Sequence, residues 1–273
     1  MDITFQLFPV LPRLKGFIEI IWLFESAAKL PDNDLKLIVP NGRPLLLVTH
    51  KNGASAMMGG RQFTAAENKI SIVGICDNPS IVDSLTNGPT SSIGMEFSPW
   101  GFYRFFNISP GELKNDLNFL ADISGKEAAA MESSISGMTS PREKVDRIQL
   151  YLLSMLVKKP EDALFYYCIR QIEETKGDIS ISRLQEITGY SSRWLNLKFK
   201  EKLGISPKNF GSIIRFQHYY KSIILDAPTL KIRRPYYHHY YDQSHFIKDF
   251  KRFTGMTPSK LLDIENRFGR LFY

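Results

Sequence analysis

The chain has 273 residues, of which 43% are hydrophobic and 23% are charged, enough for about two domains with a sizeable core. This composition excludes a mainly disordered or collagen-like chain, and no apolar stretch reaches the roughly 18 residues that a membrane span needs. The amino end lacks the pattern of a signal peptide. Two cysteines, Cys76 and Cys168, make no disulfide framework, so we expect a cytoplasmic protein.

The net charge of +7 is unevenly distributed along the chain. Residues 1–160 carry 16 basic and 16 acidic side chains, whereas residues 161–273 carry 19 basic and 12 acidic ones. A neutral region joined to a basic one is typical of a polyanion-binding module fused to a second domain. A solvated basic face would give the same balance, and charge alone does not separate these two interpretations.

Short apolar runs between clusters of glycine, proline and asparagine predict that the first half is mostly β-structure. The runs are rich in β-branched and aromatic residues and span 17–24, 35–39, 45–49, 70–75 and 91–97. Such a pattern favours a barrel or a sandwich, whose interior holds either a ligand or its own side chains. Residues 101–106 and 110–120 are predicted to form short helices.

A helix is predicted to close the first half of the chain. Ser140 is its capping residue, Pro141 suits its first position, and Glu143 completes a capping box. One face of this helix is apolar and carries Val145, Ile148, Leu152, Met155 and Leu156. That face packs either on the first domain or against a second copy of itself. The domain boundary is predicted at residues 158–162.

Two segments of the second half, 191–207 and 242–258, repeat each other at a fixed offset. The coinciding pairs are Ser191 with Asp242, Leu195 with Phe246, Phe199 with Phe250, Lys200 with Lys251, Gly204 with Gly255 and Pro207 with Pro258. Each copy therefore has a helix cap, two core residues four positions apart and a glycine that ends the helix.

The residues before the first copy complete a helix-turn-helix pattern. Ser180 is predicted to cap a short helix over 181–188, Gly189-Tyr190 to make the turn, and Ser191 to cap the next helix. In this motif the second helix enters the major groove of DNA. Ser206-Pro207 is predicted to start a long helix that ends near Asp226 and joins the two units.

Residues 164–262 resemble the DNA-binding domain of the AraC/XylS family of bacterial transcription regulators. The residues that carry this resemblance are Tyr190-Ser191, Phe199, the 204–207 segment, the 241–246 segment and the 250–258 segment. The first half resembles the small β-rich domain found with many such regulators, through Trp22, Pro31-Asp32, Gly59-Gly60 and Phe97-Ser98-Pro99. The resemblance implies an α+β fold, in which a β-rich, barrel-like domain precedes an all-α domain with two helix-turn-helix units.

The same resemblance implies which side chains face DNA. The positions that face bases are Arg193, Asn196, Leu197, Gln243, Ser244, His245 and Lys248. The positions that meet phosphates are Lys198, Lys200, Lys251 and Arg252. Arginine forks onto guanine and asparagine pairs with adenine, whereas phosphate contacts position the protein without reading sequence. Leu197 stands where the family often has arginine, and it suits a thymine methyl instead.

The second unit departs from the family pattern before its recognition helix. Arg234 and Pro235 occupy the usual apolar and alanine positions, and His239 occupies that of the turn glycine. A proline inside a helix costs about 3 kcal/mol, so we expect a shortened or shifted supporting helix. A helix that begins at Pro235 is the alternative.

The residues thus indicate a cytoplasmic, sequence-specific transcription regulator with no catalytic residues, metal or cofactor. Its domains are expected at 1–138 for effector binding or self-association, 139–160 for a connecting helix and linker, and 161–273 for DNA binding. The expected partners are double-stranded DNA, an unidentified small-molecule effector and RNA polymerase, but no membrane, and the chain acts as a monomer or homodimer.

Three alternatives remain open from the sequence. The first is a partner-binding protein whose second helix-turn-helix unit is degenerate. The second is an enzyme in the β-rich half, although the common hydrolase, zinc-protease and P-loop motifs are missing. The third is a metal site around His238, His239 and His245, which lacks a thiol or acid to complete it.

Overall fold

Among the described residues of the amino-terminal part, ten strands form two separate antiparallel sheets. The computed structural model describes residues 3–106, 108–156, 162–225, 240 and 242–273. One sheet has six strands, in the spatial order Ile3–Phe8 (β1), Ile18–Ser26 (β2), Thr90–Phe97 (β9), Leu45–Lys51 (β4), Ile70–Val73 (β7) and Leu117–Phe119 (β10). The other sheet has four, in the order Leu37–Ile38 (β3), Ser80–Ser84 (β8), Ala54–Met58 (β5) and Arg61–Ala65 (β6).

The two faces of the six-stranded sheet carry different cores, because side chains alternate along a strand. Ile21 and Leu23 point to one face, where they are buried against the helices Leu120–Ser136 (α1) and Pro141–Met155 (α2). Trp22 and Phe24 point to the other face, which turns toward the four-stranded sheet. The predicted α+β class with a β-rich first half is confirmed, and the sheets do not close into one barrel.

The five predicted strands are present with slightly different bounds. The prediction of a helix over 101–106 is met only by a single 3₁₀ turn at Phe102–Arg104. The prediction of a helix over 110–120 was wrong: hydrogen-bonded turns around Leu113 lead directly into β10, which pairs with β7. That pairing partner lies 44 or more residues earlier in the chain, so no local pattern announces the strand.

Helix α2 begins as predicted, since the Ser140 hydroxyl accepts a hydrogen bond from the Glu143 amide at 3.4 Å. Its apolar face buries Val145, Ile148 and Leu152 in the same core as the six-stranded sheet. Of the two predicted partners for this face, the first domain is therefore the one that covers it.

The carboxyl-terminal part is helical. Its elements are Ala163–Glu174 (α3), Ile181–Thr188 (α4), Ser192–Leu203 (α5), Pro207–Leu225 (α6), Gln243–Thr254 (α7), Pro258–Leu262 (α8) and Arg267–Arg270 (α9). The four repeat residues predicted to be core, Leu195, Phe199, Phe246 and Phe250, are all buried around α6. Among the described helices, none has the length and apolarity of a transmembrane segment.

The helical part packs directly on the β-rich part. Leu37, Val39 and Ile75 belong to the same buried cluster as the helices α3, α5, α6 and α7. Trp100 and Tyr103 add ring contacts to α3. The ring centroid of Tyr103 lies 6.2 Å from that of Phe165. The structure therefore holds the two parts directly against each other.

Candidate nucleic-acid interface

The first helix-turn-helix unit has the geometry that its sequence predicts. The Ser180 hydroxyl accepts from the Arg183 amide at 3.0 Å, and the Ser191 hydroxyl accepts from the Trp194 amide at 3.3 Å. These bonds satisfy amides that the first turn of a helix leaves free. Gly189, at φ +73°, ends α4 in the left-handed conformation that the turn requires. The turn and the cap thereby set where α5, the second helix of the unit, begins.

The second unit has the same side-chain cap and terminating glycine around α7. The Asp242 carboxylate accepts from the His245 amide at 2.7 Å. Gly255, at φ +77°, ends α7 as Gly204, at φ +82°, ends α5. The supporting helix expected over 231–240, with Arg234, Pro235 and His239, falls outside the described residues except for Tyr240.

Most side chains expected to face bases are open to solvent. Those that are exposed are Arg193, Leu197, Gln243, Ser244 and Lys248, and the Leu197 side chain stands out as an apolar residue 62% exposed. Two others are partly engaged. The Asn196 amide donates to the Ser192 carbonyl oxygen at 2.8 Å, and the His245 ring lies 3.8 Å from the Asp249 carboxylate.

The side chains expected to meet phosphates divide into two groups. Lys200 and Lys251 are exposed. Lys198 forms an ion pair with Glu201 at 3.0 Å and lies 5.7 Å above the Trp194 ring, an arrangement that an exposed surface pair gives up readily. Arg252 is engaged elsewhere in the molecule.

Arg252 reaches from α7 to a carboxylate of the β-rich part. Its guanidinium lies 2.8 Å from the Asp77 carboxylate and 2.7 Å from the Asn209 side-chain oxygen. Lys114 and the Asn209 amide also contact Asp77, at 2.8 and 2.7 Å. Burial raises the pKa of Asp77, but the hydrogen bonds from Lys114, Asn115 and Asn209 outweigh it and lower that pKa to about 2.

Asp77 therefore carries a full negative charge at neutral pH next to the second recognition helix. Sequence reasoning missed this residue, because 175 positions separate it from Arg252 and no motif surrounds it. The only local signal is an isolated acid in a Cys-Asp-Asn-Pro turn, which is too common to single out.

An apolar cavity of about 180 Å³ lies between the two sheets. Both sheets contribute large apolar side chains to its wall, including Trp22, Leu47, Met58, Phe63 and Val82. Sequence analysis left open whether the interior of this domain is filled by its own side chains, and the structure shows that it is not completely filled.

One edge of the cavity is polar. Glu96 accepts hydrogen bonds from the Trp22 indole at 3.3 Å and from the Asn41 amide at 3.2 Å, and burial raises its pKa. Arg43 also lines the cavity and pairs with Glu19 at 2.5 Å, yet its buried Nε–H has no hydrogen-bond partner among the described residues. A ligand atom that accepts a hydrogen bond would satisfy this group.

A metal site finds no support in the described part of the chain, where no three His, Cys, Asp or Glu side chains are grouped to hold an ion. His238 and His239, which the sequence analysis considered as ligands, fall outside that part. His245 is accounted for by its place at the start of α7.

Solved structures that share a partial likeness with this chain include two of ToxT and one of a cupin domain. ToxT from Vibrio cholerae is 11% identical, with 90% of this chain and 98% of that chain covered and a TM-score of 0.49. ToxT bound to an unsaturated fatty acid is 12% identical, with coverages of 90% and 95% and a TM-score of 0.46. A cupin domain of an XRE-family transcriptional regulator from Enterobacter cloacae is 15% identical, with coverages of 36% and 99% and a TM-score of 0.29. At these values the likeness carries no argument about function.

Two family models match the sequence. Residues 7–118 match a family described as a domain of unknown function, DUF6597. Residues 184–263 match a family described as a helix-turn-helix domain, and this range spans both capped units from α4 to α8. No curated protein matches the chain. Residues 184–263 therefore carry an AraC-type helix-turn-helix domain, and the chain is a DNA-binding transcription regulator.

Proposed function

We propose that α5 and α7 are two recognition helices that read bases in successive major-groove segments on one face of DNA. The observation that carries this proposal is the repeated frame: each helix starts at a side-chain cap, ends at a left-handed glycine and exposes polar side chains near its start. Arg193 and Lys248 have the donors that guanine accepts, and Gln243 has the amide that suits adenine.

In this proposal residues 1–138 form the sensing or association domain, 139–160 the connecting helix and linker, and 161–273 the DNA-binding domain. The protein is a regulator rather than an enzyme and works in the cytoplasm as a monomer or homodimer. RNA polymerase is its proposed further partner. A basic carboxyl-terminal part beside a neutral amino-terminal part supports this division.

The experiment that tests this function is binding of the full chain to DNA from upstream of its own gene, against scrambled DNA of equal length. We expect a preference of about 10³-fold or more, with affinity that falls steeply as salt rises. Equal affinity for both DNAs at every salt concentration would contradict sequence-specific reading.

Two variants separate base contacts from phosphate contacts. Arg193→Ala should reduce the preference for upstream DNA, with a cost of about 1–3 kcal/mol at one base position. Lys200→Ala, on the same helix, should weaken binding to both DNAs alike and reduce the salt dependence by about one phosphate contact. If both variants change the preference equally, the assigned roles are wrong.

We also infer that the cavity between the sheets binds a small, mostly apolar effector that carries one hydrogen-bond acceptor. Its volume exceeds that of an engineered cavity of about 150 Å³ that binds benzene in another protein. The apolar wall favours burial of a hydrocarbon surface, and the unpaired Nε–H of Arg43 favours a carbonyl or similar acceptor.

Acetophenone and ethylbenzene are matched probes for this site, because they have similar shapes and only the first has an acceptor. Acetophenone should raise the melting temperature of the protein more than ethylbenzene does. Arg43→Met should abolish this difference while leaving the response to ethylbenzene. No stabilisation by either probe would refute ligand binding in this cavity.

A further inference from the structure

Residues 265–273, here called the tail, belong to the carboxyl-terminal part of the chain but dock on the β-rich part. The Asp34 carboxylate accepts from the amides of Arg267 and Phe268, at 2.8 and 3.1 Å, and so caps α9 from the other domain. The Asn266 side chain accepts from the Leu37 amide at 2.8 Å and donates to the Leu37 carbonyl oxygen at 3.0 Å. Asn266 thus pairs with β3 as a neighbouring strand would.

The docked tail fits closely along β3. A Cβ atom at position 269 would lie 2.1 Å from the Leu37 carbonyl oxygen, so Gly269 is needed for this approach. At the end of the chain the Tyr273 hydroxyl accepts from the Val39 amide at 2.7 Å and donates to the Val39 carbonyl oxygen at 2.9 Å. Both backbone groups of Leu37 and of Val39 are therefore satisfied by the tail.

The aromatic rings of the tail pack against the face of β2 that turns toward the four-stranded sheet. The ring centroid of Phe268 lies 4.9 Å from that of Phe24, and the ring centroid of Phe272 lies 5.0 Å from that of Trp22. Both pairs pack edge to face. Phe268, Phe272 and Tyr273 also line the cavity. A molecule inside the cavity therefore touches the β-rich part and the tail together.

The tail is tied closely to the second recognition helix. Helix α8 follows α7 after only three residues, buries Leu261 in the helical core, and leads to the tail after two more. A docked tail therefore fixes where α7 lies. In that position Arg252, expected to contact a DNA phosphate, is held by the negatively charged Asp77. DNA and Asp77 compete for the same guanidinium.

We propose that the tail is an autoinhibitory latch that holds the DNA-binding domain on the β-rich domain, and that a cavity ligand tightens it. The ligand needs the tail as one wall of its site, so ligand binding and tail docking strengthen each other by the same factor. The apparent affinity for DNA is reduced by the fraction of molecules in which the latch is closed. This inference rests on the DNA and ligand binding proposed above.

Two variants open the latch without removing a cavity-lining side chain. Asn266→Ala removes both bonds to Leu37 from the tail side, and Asp34→Ala removes the cap of α9 from the other side. Asp32→Ala is the matched control, because Asp32 is exposed, forms an ion pair with Lys29 and lies two residues from Asp34. Thermal melting of each variant shows whether it folds.

The first readout is amide hydrogen exchange, which needs no DNA. Asn266→Ala and Asp34→Ala should speed exchange in β3 and the tail about tenfold, and acetophenone should slow it in the unaltered protein. The Asp32→Ala control should leave exchange unchanged. Unchanged exchange in both latch variants, or no effect of acetophenone on the tail of a protein that binds it, would overturn the proposal.

The second readout is affinity for the upstream DNA. Both latch variants should bind about tenfold more tightly than the unaltered protein, and acetophenone should weaken binding by the unaltered protein more than by the variants. Faster exchange without tighter DNA binding would show that the tail is structural and not inhibitory. If the unaltered protein and the variants all fail to prefer upstream DNA, the proposed function fails, and the exchange experiment still decides whether the tail is coupled to the cavity.

Discussion

At the scale of single residues, we expect the ion pair between Arg252 and Asp77 to restrain the binding of α7 to DNA. Asp77→Asn should raise affinity for DNA by about fivefold, because it removes a charge that competes with phosphate for Arg252. In an Arg252→Ala background the same substitution should have a smaller effect. Affinity measurements on the four proteins of this double-mutant cycle give the coupling directly.

Asp116→Asn is the control for this cycle. Asp116 pairs with Arg61 at 3.3 Å in the same domain, and no described contact links it to α7. It should leave DNA affinity unchanged in both backgrounds. Equal effects of Asp77→Asn with and without Arg252 would show that the ion pair does not restrain DNA binding.

The side chains that we propose to face DNA could be named from the sequence, whereas the contacts that restrain α7 could not. The resemblance to the AraC/XylS family predicts that Arg193 and Lys248 face bases, and each lies in a helix whose cap and terminating glycine are close in the sequence. Asp77 and Asn266 act on residues 132 to 229 positions away, which only the folded chain brings together. No spacing rule reaches across such a distance.

At the scale of elements, the helix caps should determine how firmly each recognition helix is formed. Ser191→Ala should reduce the free energy of unfolding by about 1 kcal/mol, because the Trp194 amide then loses its acceptor. Ser192→Ala, one position further along α5, is the matched control and should change it by less. Chemical denaturation of both variants checks this, and equal effects would contradict the role of the cap.

The same locality explains which elements the sequence predicts well. Helices α4, α5 and α7 begin and end where their caps and glycines stand, so both ends were predicted from neighbouring residues. Strands β1, β5, β6, β8 and β10 were missed. Ala54–Met58 has no β-branched residue, and Leu117–Phe119 has three residues only. β10 pairs with β7, which lies much earlier in the chain, and β5 pairs both with its hairpin partner β6 and with the more distant β8.

At the scale of the whole molecule, the stability of the fold should depend on pH through Glu173 of α3. Burial and then the negative charge of Glu19 raise the pKa of Glu173 to about 7, against the opposing charges of Arg43 and Arg170 and with further support from Glu174. The folded-state pKa of Glu173 exceeds its ordinary value of 4.5, so protonation of this residue favours the folded state. Its contribution to the free energy of unfolding is complete below about pH 4.5 and is lost as the pH rises through about 7.

Melting temperatures from about pH 5 to 8 test this dependence. The unaltered protein should lose stability over that range, and Glu173→Gln should lose less, because its amide does not ionise. Glu174→Gln is the matched control, since Glu174 is exposed and pairs with Arg170 on its own helix. Parallel curves for the unaltered protein and Glu173→Gln would contradict the assignment.

The most direct test of the account is a hydroxyl-radical footprint of the full chain on its upstream DNA. Two recognition helices on one DNA face predict two protected segments about one helical turn, or roughly 10 base pairs, apart. Arg193→Ala should weaken protection mainly at one segment and Lys248→Ala mainly at the other. A single protected segment, or equal loss at both segments in both variants, would contradict a regulator that reads DNA with α5 and α7 together.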